Sequence, residues 1–172
     1  MIKPRPAQEK SFPRQDLEGF SLFTGEVERC YQIASGTGIY QPYDGSTLKL
    51  QMPHFRAAGF DLGEQVPGFF LGTININLGN RQLRLKNPDK TLEGIEWTDK
   101  IPPESFSFVR CTMAYKGYYF SGLIYYPHPE TKPKVNAHHF NRLEVLAMPV
   151  PGLKYGDQVS VLCRADAFEE FR

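Results

Sequence analysis

Apolar residues along this chain recur mostly at every second position, the spacing of strands rather than helices. From Leu22 onward, Phe23, Gly25, Val27 and Arg29 alternate weakly with polar neighbours, and Cys30-Tyr31-Gln32-Ile33 continues the extended pattern. After a turn at Gly36, Thr47-Leu48-Lys49-Leu50-Gln51-Met52 alternates as a half-buried strand does, until Pro53 stops it. His54 to Gly59 then has the length of one short helix with Pro53 near its first turn. Thr73 to Leu78 places Ile74, Ile76 and Leu78 on one face, and Arg81 to Leu85 turns Leu83 and Leu85 inward and Arg84 outward. Asn87-Pro88-Asp89 is a turn by composition, and Ile95-Glu96-Trp97 has no clear pattern. Phe106 to Met113 reads as a buried strand, and Gly117 turns the chain into an aromatic one, Tyr118 to Tyr126. Residues 127–133, with three prolines, read as an exposed loop. Arg142 to Met148 is strongly apolar, the tight turn Tyr155-Gly156-Asp157 leads into Gln158 to Cys163, and residues 165–171 have room for one or two helical turns.

Short strands at this spacing, with turn chemistry between them, predict a mainly β protein: a small closed β-barrel with one or two short helices. Residues 1–22, rich in proline and charge, form an N-terminal arm, and residues 23–172 form the barrel domain. A chain of 172 residues can bury a sizeable core as one domain, and 41% hydrophobic and 13% aromatic residues exclude disorder. With 20 Lys and Arg against 19 Asp and Glu, the formal charge of +1 offers no general attraction for nucleic acid or an anionic membrane. Any anion site must therefore be local. The nearest basic cluster, Arg81, Arg84 and Lys86, is small. Cys30, Cys111 and Cys163 are odd in number, widely spaced and without a C-x-x-C, so they read as reduced thiols rather than a disulfide framework or a zinc site. No apolar leader opens the chain and no apolar run has transmembrane length, so the expectation is a cytoplasmic protein.

Candidate chemistry lies in two glycine-bearing segments, Gly36-Thr37-Gly38-Ile39-Tyr40 and Pro67-Gly68-Phe69-Phe70-Leu71-Gly72-Thr73-Ile74-Asn75-Ile76-Asn77-Leu78. Glycines let backbone approach an anion closely. Thr73 and Asn75 share one face of a strand, where a hydroxyl and an amide oxygen beside a tight turn can hold a hard cation such as Mg²⁺. The usual nucleotide signatures, G-x-x-x-x-G-K-[ST] and a helix-opening G-x-G-x-x-G, are absent.

The order of these segments resembles the archaeal-type, CTP-dependent riboflavin kinases, a family of small cradle-loop β-barrels. Gly36-Thr37-Gly38-Ile39-Tyr40 is similar to the family's glycine-rich segment ending in an aromatic residue. Gly59-Phe60, Pro67-Gly68 and Gly72-Thr73-Ile74-Asn75-Ile76 resemble its G-F…P-x-x-G-T-L-N-V signature, with extra residues inserted. A histidine, His138 or His139, precedes Leu143-Glu144-Val145-Leu146-Ala147, which is similar to the family's L-E-I-I-A-P strand, and Leu153 to Val159 resembles its terminal L-x-x-G-D-x-V turn. The likeness spans roughly residues 26–163. It implies transfer of a phosphoryl group from CTP, or another nucleoside triphosphate, to the 5′-hydroxyl of riboflavin, giving FMN. It further implies nucleotide binding by Gly36, Thr37, Gly38, Ile39, Tyr40 and Gly72, and Mg²⁺ held by Thr73 and Asn75. Glu144 would hold or deprotonate the attacking hydroxyl, and Phe69, His138 and His139 would contact substrate.

Each residue also has a plainer reading. Gly36 and Gly38 serve equally as turn glycines, Thr73 and Asn75 as polar residues on a solvated strand face, and Glu144 as an edge charge paired with Arg142. The tyrosines 118, 119, 125 and 126 read as barrel core and rim. Ala34 or Ser35 stands where the family has a further glycine, Met148 interrupts its Ala-Pro step, and its Leu-Arg pair is missing. These departures motivate the alternative of a catalytically inactive barrel that binds a flavin or a nucleotide. A kinase site requires the loop near residue 37 and the strand start near residue 74 to meet across one open pocket.

Overall fold

The computed structural model describes residues 17–30, 32, 34–38, 42–132 and 139–171. Nine strands and two helices follow in chain order: β1 (Phe20–Glu28), α1 (Thr47–Ala57), α2 (Leu62–Gln65), β2 (Ile74–Asn77), β3 (Gln82–Leu85), β4 (Lys90–Ile95), β5 (Glu104–Tyr115), β6 (Tyr118–Pro127), β7 (Arg142–Ala147), β8 (Gln158–Arg164) and β9 (Phe168–Phe171). Six of the strands close a barrel in the order β5-β6-β7-β2-β1-β8, with β8 returning to β5. Every pairing is antiparallel. The fold is the closed β-barrel expected from the sequence.

Closure depends on the length of β5. Its first half pairs with β4 (Lys90 opposite Phe108) and its second half with β8 (Met113 opposite Val161). Strand alternation then builds two cores. Phe23, Val27, Ile76, Val109, Met113, Ile124, Val145, Val159 and Val161 fill the barrel. The alternate residues of β5 and β6 (Phe106, Phe108, Leu123 and Tyr125), with Leu146 of β7, point outward, where α1, α2 and the segment carrying Trp97 cover them. Phe55 of α1 meets Phe106 and Phe108 edge-on at ring-centre distances of 5.0 and 5.5 Å, a favourable aromatic geometry. The barrel is therefore dry inside and dressed on one outer face, and the site forms beside that dressing.

Four local expectations are corrected. Thr47 to Met52 is not a strand but the first half of α1. Ser46 caps it by accepting from Lys49 N at 3.1 Å, and Leu48, Gln51 and Phe55 lie on the buried side at helical spacing. Pro53 takes one backbone donor from α1, and it and Lys49, the residue whose carbonyl that donor would have met, both lie on the exposed side. Residues 168–171 form β9 rather than a helix. The Phe168–Phe171 spacing of three mimics a helix, but β3 supplies ladder hydrogen bonds, and its Arg84 reaches Glu169. Residues 127–133 are not simply exposed: Pro127 is buried, and His128 folds back to bond Ser107 at 2.7 Å, carrying Lys132 inward. The extended run does not continue through Cys30 to Ile33, since β1 ends at Glu28 and Gln32 has φ 56°; Tyr31 and Ile33 lie outside the described residues. In addition, β1 starts at Phe20, inside the stretch assigned to the arm, and β4 has no counterpart among the expected strands.

Cys111 and Cys163, 52 positions apart in sequence, face each other across the β5–β8 seam as free thiols. Burial raises both, Cys163 to about 12, so they remain protonated core residues. Among the described residues, no helix is long and apolar enough to cross a membrane.

Candidate functional site

Register across three adjacent strands builds the polar floor of the site. Glu28, Asn75 and Glu144 lie in one row across β1, β2 and β7, and Glu26, Asn77 and Arg142 in the next. Because Ile76 and Val27 point into the barrel, these residues point out of it. Thr73 stands just before β2, where its hydroxyl donates to Glu144 Oε2 at 3.3 Å. The Asn75 amide turns to the same place, with Nδ2 at 3.2 Å from Thr73 O and 3.4 Å from Thr73 Oγ1. Glu144 does not pair with Arg142. Its other oxygen lies 3.9 Å from Lys132 Nζ, while Arg142 is bonded to Glu28 and to Cys30 Sγ.

Over this floor lies a cavity of about 660 Å³, a volume typical of small-molecule sites. Thr37 and Ser35 line it from one loop, and Gly72, Thr73 and Asn75 from the other. The two loops touch: a Cβ at Gly72 would stand 3.2 Å from Ser35 Cβ and collide with the Phe70 ring at 2.5 Å. A side chain at Gly72 would press on Ser35 and push the exposed Phe70 ring aside. Gly36 is required, with φ 71° and its open side against the backbone of Gly45 and Ser46. The amides beside it are already engaged, since Gly36 N and Thr37 N both donate to Gln32 O, at 3.0 and 3.3 Å. The first glycine segment therefore contributes side chains, Ser35 and Thr37, whose hydroxyls bond each other at 2.7 Å, and not an amide cradle at these two positions.

The remaining expected residues scatter. Phe69 packs against the outer core, and its neighbour Phe70, exposed, lines the cavity instead. His139 lines a much smaller recess behind Arg142 and Glu144. Burial, then Arg142 and Lys132, hold its imidazole below the usual value, so it is neutral at pH 7. Gly38 is not part of the cavity wall. Ile39, Tyr40 and His138 lie outside the described residues.

Several wall residues carry no sequence signal. Lys132 and Arg142 bring positive charge over the floor, and Trp97, Glu104, Gln51 and Tyr125 form the buried end of the cavity. Trp97 Nε1 donates to Glu104 Oε2 at 2.7 Å, and Tyr125 OH donates to Gln51 Oε1 at 2.9 Å. Desolvation raises the Glu104 carboxyl, more than Trp97 and Lys132 lower it. These residues come from β5, β6, β7, α1 and two loops far apart in the chain, so no local pattern brings them together.

Among the described residues, no group of three or more His, Cys, Asp or Glu gathers to hold a metal ion. The oxygens of Thr73, Asn75 and Glu144 suit a hard cation that keeps most of its shell from water and phosphate. Thr73 Oγ1 and Glu144 Oε2, two oxygens 3.3 Å apart, lie close to the separation of neighbouring ligands around a small octahedral ion, about 3 Å. Asn75 turns its Nδ2 towards Thr73 and would have to swing Oδ1 round to join them. No protein-family model and no curated protein matches the chain.

Proposed function

We propose that this protein transfers the terminal phosphoryl group of a nucleoside triphosphate to an alcohol. The acceptor is riboflavin and the donor CTP by the sequence resemblance. The observation that carries this reading is the convergence of Thr73, Asn75, Glu144 and Lys132 with Ser35 and Thr37 on one cavity. Phosphoryl transfer needs positioning and charge neutralisation more than it needs a covalent catalyst, and these residues supply both.

In the proposed step the 5′-hydroxyl oxygen of riboflavin attacks the γ-phosphorus, and the bond to the β–γ bridging oxygen breaks. The hydroxyl proton passes to the Glu144 carboxylate, and the donor leaves as its diphosphate. Thr73 fixes Glu144 by its hydrogen bond, and Lys132, its side chain 14% exposed, faces the charge that develops on the transferring group. Thr73 and Asn75 would hold Mg²⁺, which when bound neutralises phosphate oxygens. Ser35 and Thr37 offer hydroxyls to the phosphates where the Gly36 and Thr37 amides do not.

Purified protein given riboflavin, CTP and Mg²⁺ is expected to form FMN. Asn75→Ala is expected to lower the rate by about 100-fold or more while melting with the parent. Absence of FMN with every nucleoside triphosphate removes the proposal. The second reading, a flavin- or nucleotide-binding barrel without turnover, is favoured by the engaged Gly36 and Thr37 amides; it predicts binding of either ligand in that same assay mixture with no product.

A further inference from the structure

Four polar or charged side chains are buried among the described residues: Thr47, Gln51, Glu104 and Ser107. Ser107 is bonded to Thr91 and His128. The other three all line the buried end of the cavity, at 7%, 2% and 4% exposure. Each has an atom with no protein partner. Gln51 uses only Oε1, which leaves Nε2 with two N–H groups. Glu104 uses only Oε2, which leaves Oε1. The Thr47 hydroxyl makes no side-chain bond. Among the described residues only Arg164 Nε, outside the cavity wall, is a fully buried side-chain atom without a partner, so these three atoms are instead open to the cavity, where a ligand or water can satisfy them.

The walls around them are flat rings. Tyr43 and Trp97 meet edge-on at 4.9 Å, and Tyr125 closes the far side. An aromatic slot with a donor, an acceptor and a hydroxyl at its base has the shape and polarity for a planar heterocycle. We propose that this buried end recognises the polar edge of a flat nitrogen heterocycle, one bearing an N–H beside a ring carbonyl or ring nitrogen, through Gln51 and Glu104. Gln51 donates to the ring acceptor, and Glu104 accepts from the N–H beside it, which is in the ring of a flavin and exocyclic on a cytosine. The Glu104 Oε1 left over by the Trp97 bond is the acceptor that such an edge requires. Tyr125 feels the charges of both Glu104 and Glu144, so the slot adjoins the floor where Thr73 and Asn75 lie.

Two rings share this edge chemistry, the isoalloxazine of riboflavin and the cytosine of CTP; only that choice of candidates rests on the phosphoryl-transfer reading. The test is calorimetric binding to the full-length protein with riboflavin against 3-methylriboflavin, and with cytidine against N4,N4-dimethylcytidine, repeated on Gln51→Met. One parent ring is expected to bind, and both the blocked edge and Gln51→Met are expected to weaken it by about tenfold. A response in the riboflavin arm assigns the slot to the acceptor ring, and one in the cytidine arm to the donor base. The proposal is overturned if neither parent ring binds, or if either change leaves affinity within about twofold. Should Gln51→Met not fold, the blocked rings on the unaltered protein decide. Edge-dependent binding without FMN formation would leave the slot standing and remove the transferase. FMN formation indifferent to Gln51→Met and to the blocked edge would do the reverse.

Discussion

At the scale of single residues, Glu104 is the most consequential side chain that the resemblance did not indicate. It is a carboxyl at 4% exposure, held by one indole N–H. Its folded pKa lies above the unfolded value, chiefly through desolvation. Between those two values the folded protein binds the proton that the unfolded chain has released. Stability therefore declines as pH rises from the ordinary carboxyl value through the folded one, and is flat above it. Glu104→Gln keeps an acceptor for Trp97 and removes the titration. The variant is expected to flatten that part of the stability–pH curve and to gain relative to the parent at pH 7, measured by urea unfolding at several pH values. A parent curve already flat across that range would show that Glu104 does not titrate there. Gly36 carries the opposite lesson: a glycine that resembles a phosphate-binding one is accounted for by its φ of 71° and its contact with the start of α1.

At the scale of elements, α1 decides where the site is walled. Its N-cap Ser46 accepts from Lys49 N and donates to Ala34 O at 2.5 Å, so one hydroxyl starts the helix and ties the loop bearing Ser35 and Thr37 to it. Ser46→Ala should cost about 1–2 kcal/mol in chemical denaturation and loosen that loop, seen as faster amide exchange at residues 34–38. Unchanged exchange there would mean that the loop is held by its own turn at Gln32 alone. The β2–β7 pair is the other governing element. Because Asn75 opposes Glu144 in register, a slip of β2 by one residue would send Asn75 into the barrel and bring Ile74 and Ile76 out, parting Asn75 from Glu144.

At the scale of the whole molecule, the seam between β5 and β8 closes the barrel and fixes the relative places of β1, β2 and β7, on which the polar floor lies. Met113 and Val161 face each other there with no exposure. Met113→Ala should destabilise by about 2–5 kcal/mol with an unchanged denaturant slope, since a cavity forms where the surrounding ring of strands cannot collapse. A loss under about 1 kcal/mol would mean that the closed ring tolerates a void better than ordinary cores do. The floor itself is held by charge pairing, Arg142 of β7 to Glu28 of β1 and Lys132, beyond the end of β6, towards Glu144.

By itself the sequence determined the strand-rich texture, the closed barrel and the inward faces of most of its strands, because a period of two needs no partner to be read. It also set Thr73 and Asn75 on one face and the turn at Gly36. Only the tertiary structure decided that Thr47 to Met52 is helix, that residues 168–171 pair with β3, and that Lys132, Trp97, Glu104 and Gln51 meet Thr73 around one cavity. A six-residue alternation is too short to separate helix from strand until an outer core at Phe106 and Phe108 is there to bury Leu48 and Phe55. The cavity wall joins side chains as far apart in the chain as Val27 and Tyr155, brought together by strand register and barrel closure, which no local pattern encodes.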